Sequence, residues 1–123
     1  MRPTVVLMVF AKQFDSADTI AENTKKLAIA ARQDGFNKYS TYIVKNMDTD
    51  TKHAWDAVLD MFERCRVEGI HHIYFNNFVY IKELADKLMN SEEIIRAYEL
   101  RPHFIIGDKR YDLLKPEILN NIQ

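Results

Sequence analysis

Three polar side chains that could take part in chemistry, those of Lys12, Asp15 and Ser16, follow directly after the apolar segment "VVLMVFA". A second polar pair, Asn76 and Asn77, follows the segment "IHHIYF". In parallel α/β sheets, ligands bind outside the carboxyl ends of the strands, where such segments end. These five residues are therefore the candidate binding residues, and Ser16 is the candidate nucleophile.

The loop that carries Ser16 lacks the features of a phosphate site. A serine nucleophile needs a base or cations to activate it, and the sequence supplies no fixed partner for Ser16, whose hydroxyl would equally serve as a helix cap. A backbone cradle for phosphate needs glycines, and residues 12–18 contain none. Neither the dinucleotide fingerprint nor the P-loop spacing occurs. We therefore expect no flavin or nucleotide cofactor.

The histidines and the cysteine do not form a metal-ligand pattern. His71 and His72 are adjacent in an expected strand and so point to opposite faces, while His53 and His103 lie far away in the sequence. We predict no metal site, with one histidine at the edge of the core and the others in solvent. Cys65 lies on the apolar stripe of an expected helix, where a buried thiol is unreactive.

The composition is that of one soluble domain. A chain of 123 residues, 47% hydrophobic and 28% charged, can bury a single core. Its net charge of −1 lacks the basic surplus of a free-standing DNA-binding domain, although a local basic face would be hidden in that sum. A single cysteine excludes an internal disulfide and favours the cytoplasm. The apolar N-terminal run is too short to span a membrane, and we interpret it as a buried strand.

Strands and helices alternate along the chain. Strands are expected at 4–11, 39–44, 70–77 and 103–106, and helices begin near 19, 51, 81 and 91. The capping-box spacing from Thr19 to Glu22 predicts Thr19 as the first N-cap, and Gly69 is expected to end the second helix. This alternation predicts one three-layer α/β/α domain over residues 1–123, with a mainly parallel sheet of about four strands in a flavodoxin-like topology. Residues 116–123 would begin a further helix at Pro116.

The stretch "VFAKQFDSADTIAENTKKLAIAARQDGF", followed by a short strand and "TKHAWDAVLDMFERCRVEGIHHIYF", resembles the catalytic domain of serine recombinases, the resolvase and invertase family. In that family the first strand ends in Tyr-Ala-Arg-Val-Ser. Its serine attacks a DNA phosphate while several arginines stabilise the developing charge. The segment Phe10-Ala11-Lys12-Gln13-Phe14 falls on this motif without a gap. The resemblance covers residues 4–88 and rests on spacing and hydrophobic pattern.

The departures from the family pattern fall on the residues that carry its chemistry. Phe10 replaces the tyrosine, Lys12 the arginine and Phe14 the nucleophilic serine, and the Asp-Arg pair after the third strand falls near Phe78 and Val79. Lysine keeps a charge but loses the planar two-pronged donor that matches phosphate. Because phosphoryl transfer depends on positioning and charge stabilisation, the resemblance implies a catalytically inactive domain.

Three hypotheses follow. The first is a non-catalytic, recombinase-like domain that pairs with itself or with a related recombinase and reaches DNA only weakly or through a partner. The second is a divergent active recombinase that uses Ser16, with Lys12 and Arg110 as charge partners. The third is a flavodoxin-like domain that binds a small molecule. We also expect an exposed aromatic patch, suited to self-association, at Tyr74, Phe75, Phe78 and Tyr80.

Overall fold

The computed structural model describes residues 5–112 together with residues 115, 117 and 119. In this part of the chain, nine strands and α-helices follow one another, and a 3-10 turn at Asn77–Tyr80 joins β3 to α3. The elements are β1 Val5–Phe10, α1 Ala17–Gln33, β2 Tyr39–Val44, α2 Thr51–Glu68, β3 His72–Phe75, α3 Lys82–Met89, α4 Glu92–Ala97, β4 Arg101–Ile106 and β5 Lys109–Tyr111. Of the helix predicted to begin at Pro116, the described residues include Glu117 and Leu119, which are both helical, whereas Pro116 itself lies outside them.

The strands form one mostly parallel sheet in the order β2-β1-β3-β4-β5. The first four strands are parallel, and β5 runs antiparallel to β4. The α/β class and the mainly parallel sheet are thereby confirmed. The fifth strand was not predicted, because the three residues Lys109–Tyr111 are too few and too polar to show a hydrophobic period. They pair with β4 after a tight turn in which Gly107 has a φ of 62°.

Two clusters of buried side chains pack on opposite faces of β1. Val5, Leu7 and Val9 pack with the buried side chains of α1, whereas Val6, Met8 and Phe10 pack with those of α2 and α3. Alternate strand residues point to opposite faces, so β1 is covered on both sides. This explains its nearly unbroken apolar sequence.

The boundaries of α1 and α2 follow from capping residues, whereas α3 and α4 begin without a side-chain cap hydrogen bond. The Ser16 hydroxyl accepts a hydrogen bond from the Thr19 backbone N–H at 3.1 Å, so Ser16 is the N-cap of α1 and the prediction of Thr19 was wrong. Both residues have suitable side chains, and only the backbone shows where the helix begins. The second helix lies between the N-cap Asp50 and Gly69, whose φ is 71°, as predicted. No helix among the described residues combines the length and apolarity needed to cross a bilayer.

Candidate functional site

The five candidate binding residues lie at the carboxyl edge of the sheet, beside the switch point in its topology. From β1 the chain crosses to β2 on one side, and β3 lies on the other side of β1. The loops after β1 and β3 therefore leave the sheet next to each other and in opposite directions, which is the usual place for a ligand in such sheets. Lys12, Asp15 and Ser16 lie on the first loop, and Asn76 and Asn77 follow β3.

Two backbone amides of the β1–α1 loop, those of Lys12 and Gln13, are occupied by carboxylates of the protein itself. The Lys12 N–H donates to Asp15 Oδ2 at 2.8 Å, and the Gln13 N–H donates to Asp48 Oδ1 at 2.8 Å. In a phosphate-binding loop, such N–H groups point at the anion. Two carboxylates here would repel a phosphate group, so this loop is poorly suited to hold one.

The Ser16 hydroxyl serves as a helix cap and has no activating base or cation among the described residues. Besides accepting the Thr19 N–H, it lies 3.0 Å from the Thr19 hydroxyl oxygen. Arg110, its predicted charge partner, binds Asp34 at the other end of α1. That helix is about 25 Å long at ~1.5 Å per residue, so Arg110 is not placed beside Ser16. Lys12 is exposed and makes no ion pair with any described residue.

Some of the residues that fall on the recombinase catalytic positions in the predicted match are buried, and one is exposed. Phe10, Phe78 and Val79 are fully buried, and the Phe10 ring stacks on the Phe78 ring with centroids 4.9 Å apart. Phe14, which falls on the nucleophile position, is 89% exposed at the tip of the loop. The core positions are occupied by two stacked aromatic rings and a valine, while the loop tip carries an aromatic ring in solvent.

The expected aromatic patch after β3 is absent among the described residues. Tyr74 and Phe75 point to opposite faces of the sheet, and both faces are covered, so neither side chain is exposed. The 3-10 turn then returns Phe78 to the core, where it packs against Phe75 and Phe104. Only Tyr80, at 43%, is exposed. The prediction of a patch was wrong because it assumed a regular strand through residue 80.

Asn76 and Asn77 both form structural hydrogen bonds to backbone groups. Asn76 is 2% exposed, and its Oδ1 accepts the Phe10 N–H at 2.7 Å while its Nδ2 donates to the Phe10 carbonyl at 2.9 Å. The amide thus continues the pairing between β1 and β3 beyond the end of β3. Asn77 Oδ1 accepts the Gly107 N–H at 3.1 Å and fixes the turn between β4 and β5. A ligand-binding role for either residue stays a prediction.

A second polar group of residues, which the sequence analysis missed, lies on the α1 face near the start of β3. We call it the histidine–aspartate cluster, and its members are Asp34, His72, Tyr74, His103, Arg110 and Asp112. Sequence separation hides it, because its residues come from the end of α1, from β3, from β4 and from the region of β5. The strand register brings Tyr74 opposite His103, which places both on one face.

Hydrogen bonds connect the two histidines to the carboxylates. His103 Nδ1 lies 2.7 Å from Asp112 Oδ1, and because a carboxylate only accepts, the proton is assigned to Nδ1. His103 Nε2 lies 2.9 Å from His72 Nδ1, and the protonation of the two rings decides which of these atoms donates. Arg110 binds Asp34 through two hydrogen bonds of 2.8 and 2.7 Å, and the Tyr74 hydroxyl also donates to Asp34.

The charges of the cluster compensate one another. The hydrogen bond from Arg110 lowers the pKa of Asp34, and the hydrogen bond from His103 lowers that of Asp112. Burial lowers the pKa of His72, and burial together with Asp34 raises the pKa of Tyr74. The cluster contains no hydroxyl or thiol poised as a nucleophile. Its geometry fastens the end of α1 to β3, β4 and β5.

The remaining histidines and Cys65 differ in their exposure to solvent, and this decides their roles. His71 is exposed and its Nδ1 lies 3.0 Å from the Glu99 carbonyl oxygen. Two histidines, His72 and His103, enter the cluster at the edge of the core, so the expectation of one was wrong. Burial raises the pKa of Cys65 to about 11, which keeps it a neutral thiol. Among residues 5–112, 115, 117 and 119, no three metal-ligating side chains are arranged around one point.

A cleft of about 660 Å³ lies beside β4, away from the carboxyl edge. Apolar side chains of α3, α4 and β4 form most of its wall, and His103 and Asp112 contribute polar atoms to it. These two side chains are hydrogen-bonded to each other, so their polar atoms are already partly satisfied.

Comparisons of this chain with protein-family models, with curated proteins and with solved structures found no match. The relation to serine recombinases therefore stays a prediction that rests on the sequence pattern.

Proposed function

We propose that this protein is a serine recombinase-like domain that lacks strand-transfer activity and acts through contacts with other proteins. The observation that carries the proposal is the occupied loop after β1, where Asp15 and Asp48 accept the N–H groups of Lys12 and Gln13. Phosphoryl transfer needs cations and donors around the phosphate. This loop presents two carboxylates in their place.

The side chains near the loop support the same proposal. Phe14 has no lone pair with which to attack phosphorus and stands in solvent. Ser16 holds the first turn of α1, and its loss would cost the helix about 1 kcal/mol. Removing one preorganised donor commonly raises a barrier by roughly 3 kcal/mol. Without an activated nucleophile and without clustered arginines, no useful rate is expected.

We also propose a detailed architecture for the domain. A three-layer α/β/α domain of resolvase-like, flavodoxin-like topology is supported by the order β2-β1-β3-β4 and by the buried clusters on both faces of β1. The partners would be a second copy or a related recombinase in the cytoplasm. With a net charge of −1, DNA would be bound only weakly or through such a partner.

Covalent capture of DNA tests the lack of activity. The wild-type protein and the variants Ser16→Ala and Phe14→Ser are incubated with supercoiled DNA, and a phosphoserine adduct is sought after denaturation, with an active serine recombinase as positive control. We expect no adduct from any of the three proteins. An adduct formed by the wild type and lost in Ser16→Ala would establish the active-recombinase alternative and overturn the proposal.

The cleft beside β4 favours a second candidate function, the binding of a small, largely apolar molecule. Its volume of about 660 Å³ is in the range of ligand sites, and its wall is mostly apolar with a few polar atoms. Native mass spectrometry of the purified protein tests this candidate. A bound mass that disappears on denaturation would support it, and the mass of the bare chain would count against it.

A further inference from the structure

The strand β2 forms an open edge of the sheet. It is the first strand in the order β2-β1-β3-β4-β5, and β1 is its only partner among the described strands. On one face of the sheet, α1 packs mainly against β1, β3 and β4 and leaves β2 largely uncovered. An uncovered edge strand presents unpaired backbone groups on which another strand can pair.

The outward backbone groups of β2 can be identified from one hydrogen bond. The Val44 carbonyl accepts the Ala11 N–H at 2.8 Å, so the backbone groups of Val44 point toward β1. Backbone groups of successive strand residues point alternately to the two sides. Those of Tyr39, Thr41 and Ile43 therefore point away from the sheet, and no described residue pairs with them.

A shallow groove runs between this edge and α1. Tyr39, Thr41 and Ile43 are opposite Val5, Leu7 and Val9 in the strand register, so their side chains lie on the α1 face. Tyr39 and Ile43 are 36% and 50% exposed. Together with apolar residues of α1 they line a groove of about 630 Å³. The sequence of β2, "YSTYIV", contains no charge, proline or bulge-forming glycine that would block an added strand.

The charge of the groove has one sign. Lys25, Arg32 and Lys45 line it, and no aspartate or glutamate does. None of these three cations makes an ion pair with a described residue, although many other charged side chains of the protein are paired. The groove is thus complementary to a chain with several carboxylates.

We propose that an extended, acidic segment of another protein adds to β2 as a further strand of the sheet. Its backbone pairs with the outward groups of Tyr39, Thr41 and Ile43. Its alternate side chains lie on the α1 face, where their carboxylates meet Lys25 and Arg32. This inference rests on the proposed function, because it identifies the surface and the kind of partner through which a non-catalytic domain would act.

The same charges disfavour a second copy of this chain as the occupant. A twofold contact in which β2 pairs with β2 would bring one surface patch against itself. The cations Lys25, Arg32 and Lys45 would then face an identical set, with no carboxylate in the groove to separate them. Like charges opposite one another destabilise strand pairs. An acidic partner removes this cost.

A labelled peptide tests the proposal. The probe is a short fluorescein-labelled peptide that alternates valine with glutamate, and the control peptide carries lysine in place of glutamate. Fluorescence anisotropy measures affinity, and amide NMR spectra locate the bound peptide. We expect the acidic peptide to shift the amide signals of residues 39–45, to bind more weakly as salt is raised, and to bind at least about tenfold more tightly than the lysine peptide.

Two variants distinguish the contribution of backbone pairing to peptide binding from the contribution of charge. Thr41→Pro removes an outward N–H without removing a bond to β1, so the fold should persist while peptide binding is lost. The double variant Lys25→Glu/Arg32→Glu should weaken binding about tenfold. The matched control Lys87→Glu/Lys109→Glu makes the same change in net charge at two exposed cations outside the groove that pair with no described carboxylate, and it should leave binding unchanged.

Three results would overturn the inference. They are no binding of the acidic peptide to the wild type, equal binding of both peptides, or equal weakening by the control double variant. A concentration-dependent dimer that Thr41→Pro dissociates would assign the edge to a second copy instead. Failure of the peptide test with no DNA adduct would reject only this surface, whereas a Ser16-dependent adduct would reject the proposed function itself.

Discussion

Replacing Asn76 by aspartate tests whether this residue has a structural role or is available to a ligand. In the native protein both halves of the buried amide are used, one as acceptor and one as donor, by the backbone of Phe10. Aspartate has nearly the same shape, keeps the acceptor and loses the donor. At neutral pH its second oxygen would face the Phe10 carbonyl oxygen with no proton between them.

The expected loss of stability in Asn76→Asp follows from the burial of this side chain. An unsatisfied buried acceptor costs about 1–3 kcal/mol, and more when the new group is charged. Asn76 is 2% exposed, so we expect Asn76→Asp to lower the free energy of unfolding by about 3 kcal/mol. For a chain of this size that corresponds to about 12 °C in the melting temperature. Asn77→Asp is the matched control, because Asn77 is only partly buried and uses only its oxygen, which aspartate retains.

Urea unfolding followed by circular dichroism at pH 7 and at pH 4.5 measures both effects. Burial favours the protonated acid, which can again donate to Phe10 and accept from it. The deficit of Asn76→Asp relative to the wild type should therefore shrink as the pH falls. If Asn76→Asp and Asn77→Asp differ by less than about 1 kcal/mol at pH 7, the structural account of Asn76 is refuted.

Three further outcomes are expected. Burial lowers the folded pKa of His72 below its ordinary value of 6.5, so the free energy of unfolding should fall as the pH drops below that value. His72→Gln should reduce this dependence of stability on pH. An unchanged slope in the variant would contradict a role for His72. Arg110→Gln should lower the free energy of unfolding by about 2 kcal/mol at pH 7. Because Arg110 lowers the pKa of Asp34, the difference in stability from the wild type should shrink below about pH 4. A difference that stays constant with pH would exclude this ion pair as its source. Cys65, with a pKa of about 11, should resist a thiol reagent at pH 8 until the protein unfolds, and rapid labelling of folded protein would show that the helix stripe is open.

Much of the fold could be predicted because local signals and packing agree. The apolar run of β1 predicted a strand covered on both faces, and the limits of β2 at Tyr39–Val44 were predicted correctly. Gly69 marked the end of α2, where a left-handed residue was needed. By contrast, β5 depends on pairing with β4, and its three residues carry no period of their own.

The candidate site shows where sequence reasoning stops. Proximity to the strand ends could be predicted for Lys12, Asp15, Ser16, Asn76 and Asn77, since each follows an apolar run that the local pattern marks as a strand. The use of each side chain was decided by tertiary contacts. Whether an asparagine after a strand faces a ligand or the neighbouring backbone depends on the distance between two strands that are far apart in sequence.

The sequence by itself determined the alternation of strands and helices, the burial of β1 on both faces and the glycine-free loop after it, because these depend on side-chain type and on local spacing. Only the tertiary structure brought His72, His103 and Asp112 together and placed cations beside an edge of β2 that no described strand covers. Both features arise from strand pairing and helix packing between distant segments. The energy of such pairing depends on which segments meet in the folded protein, so it produces no periodic pattern in the sequence.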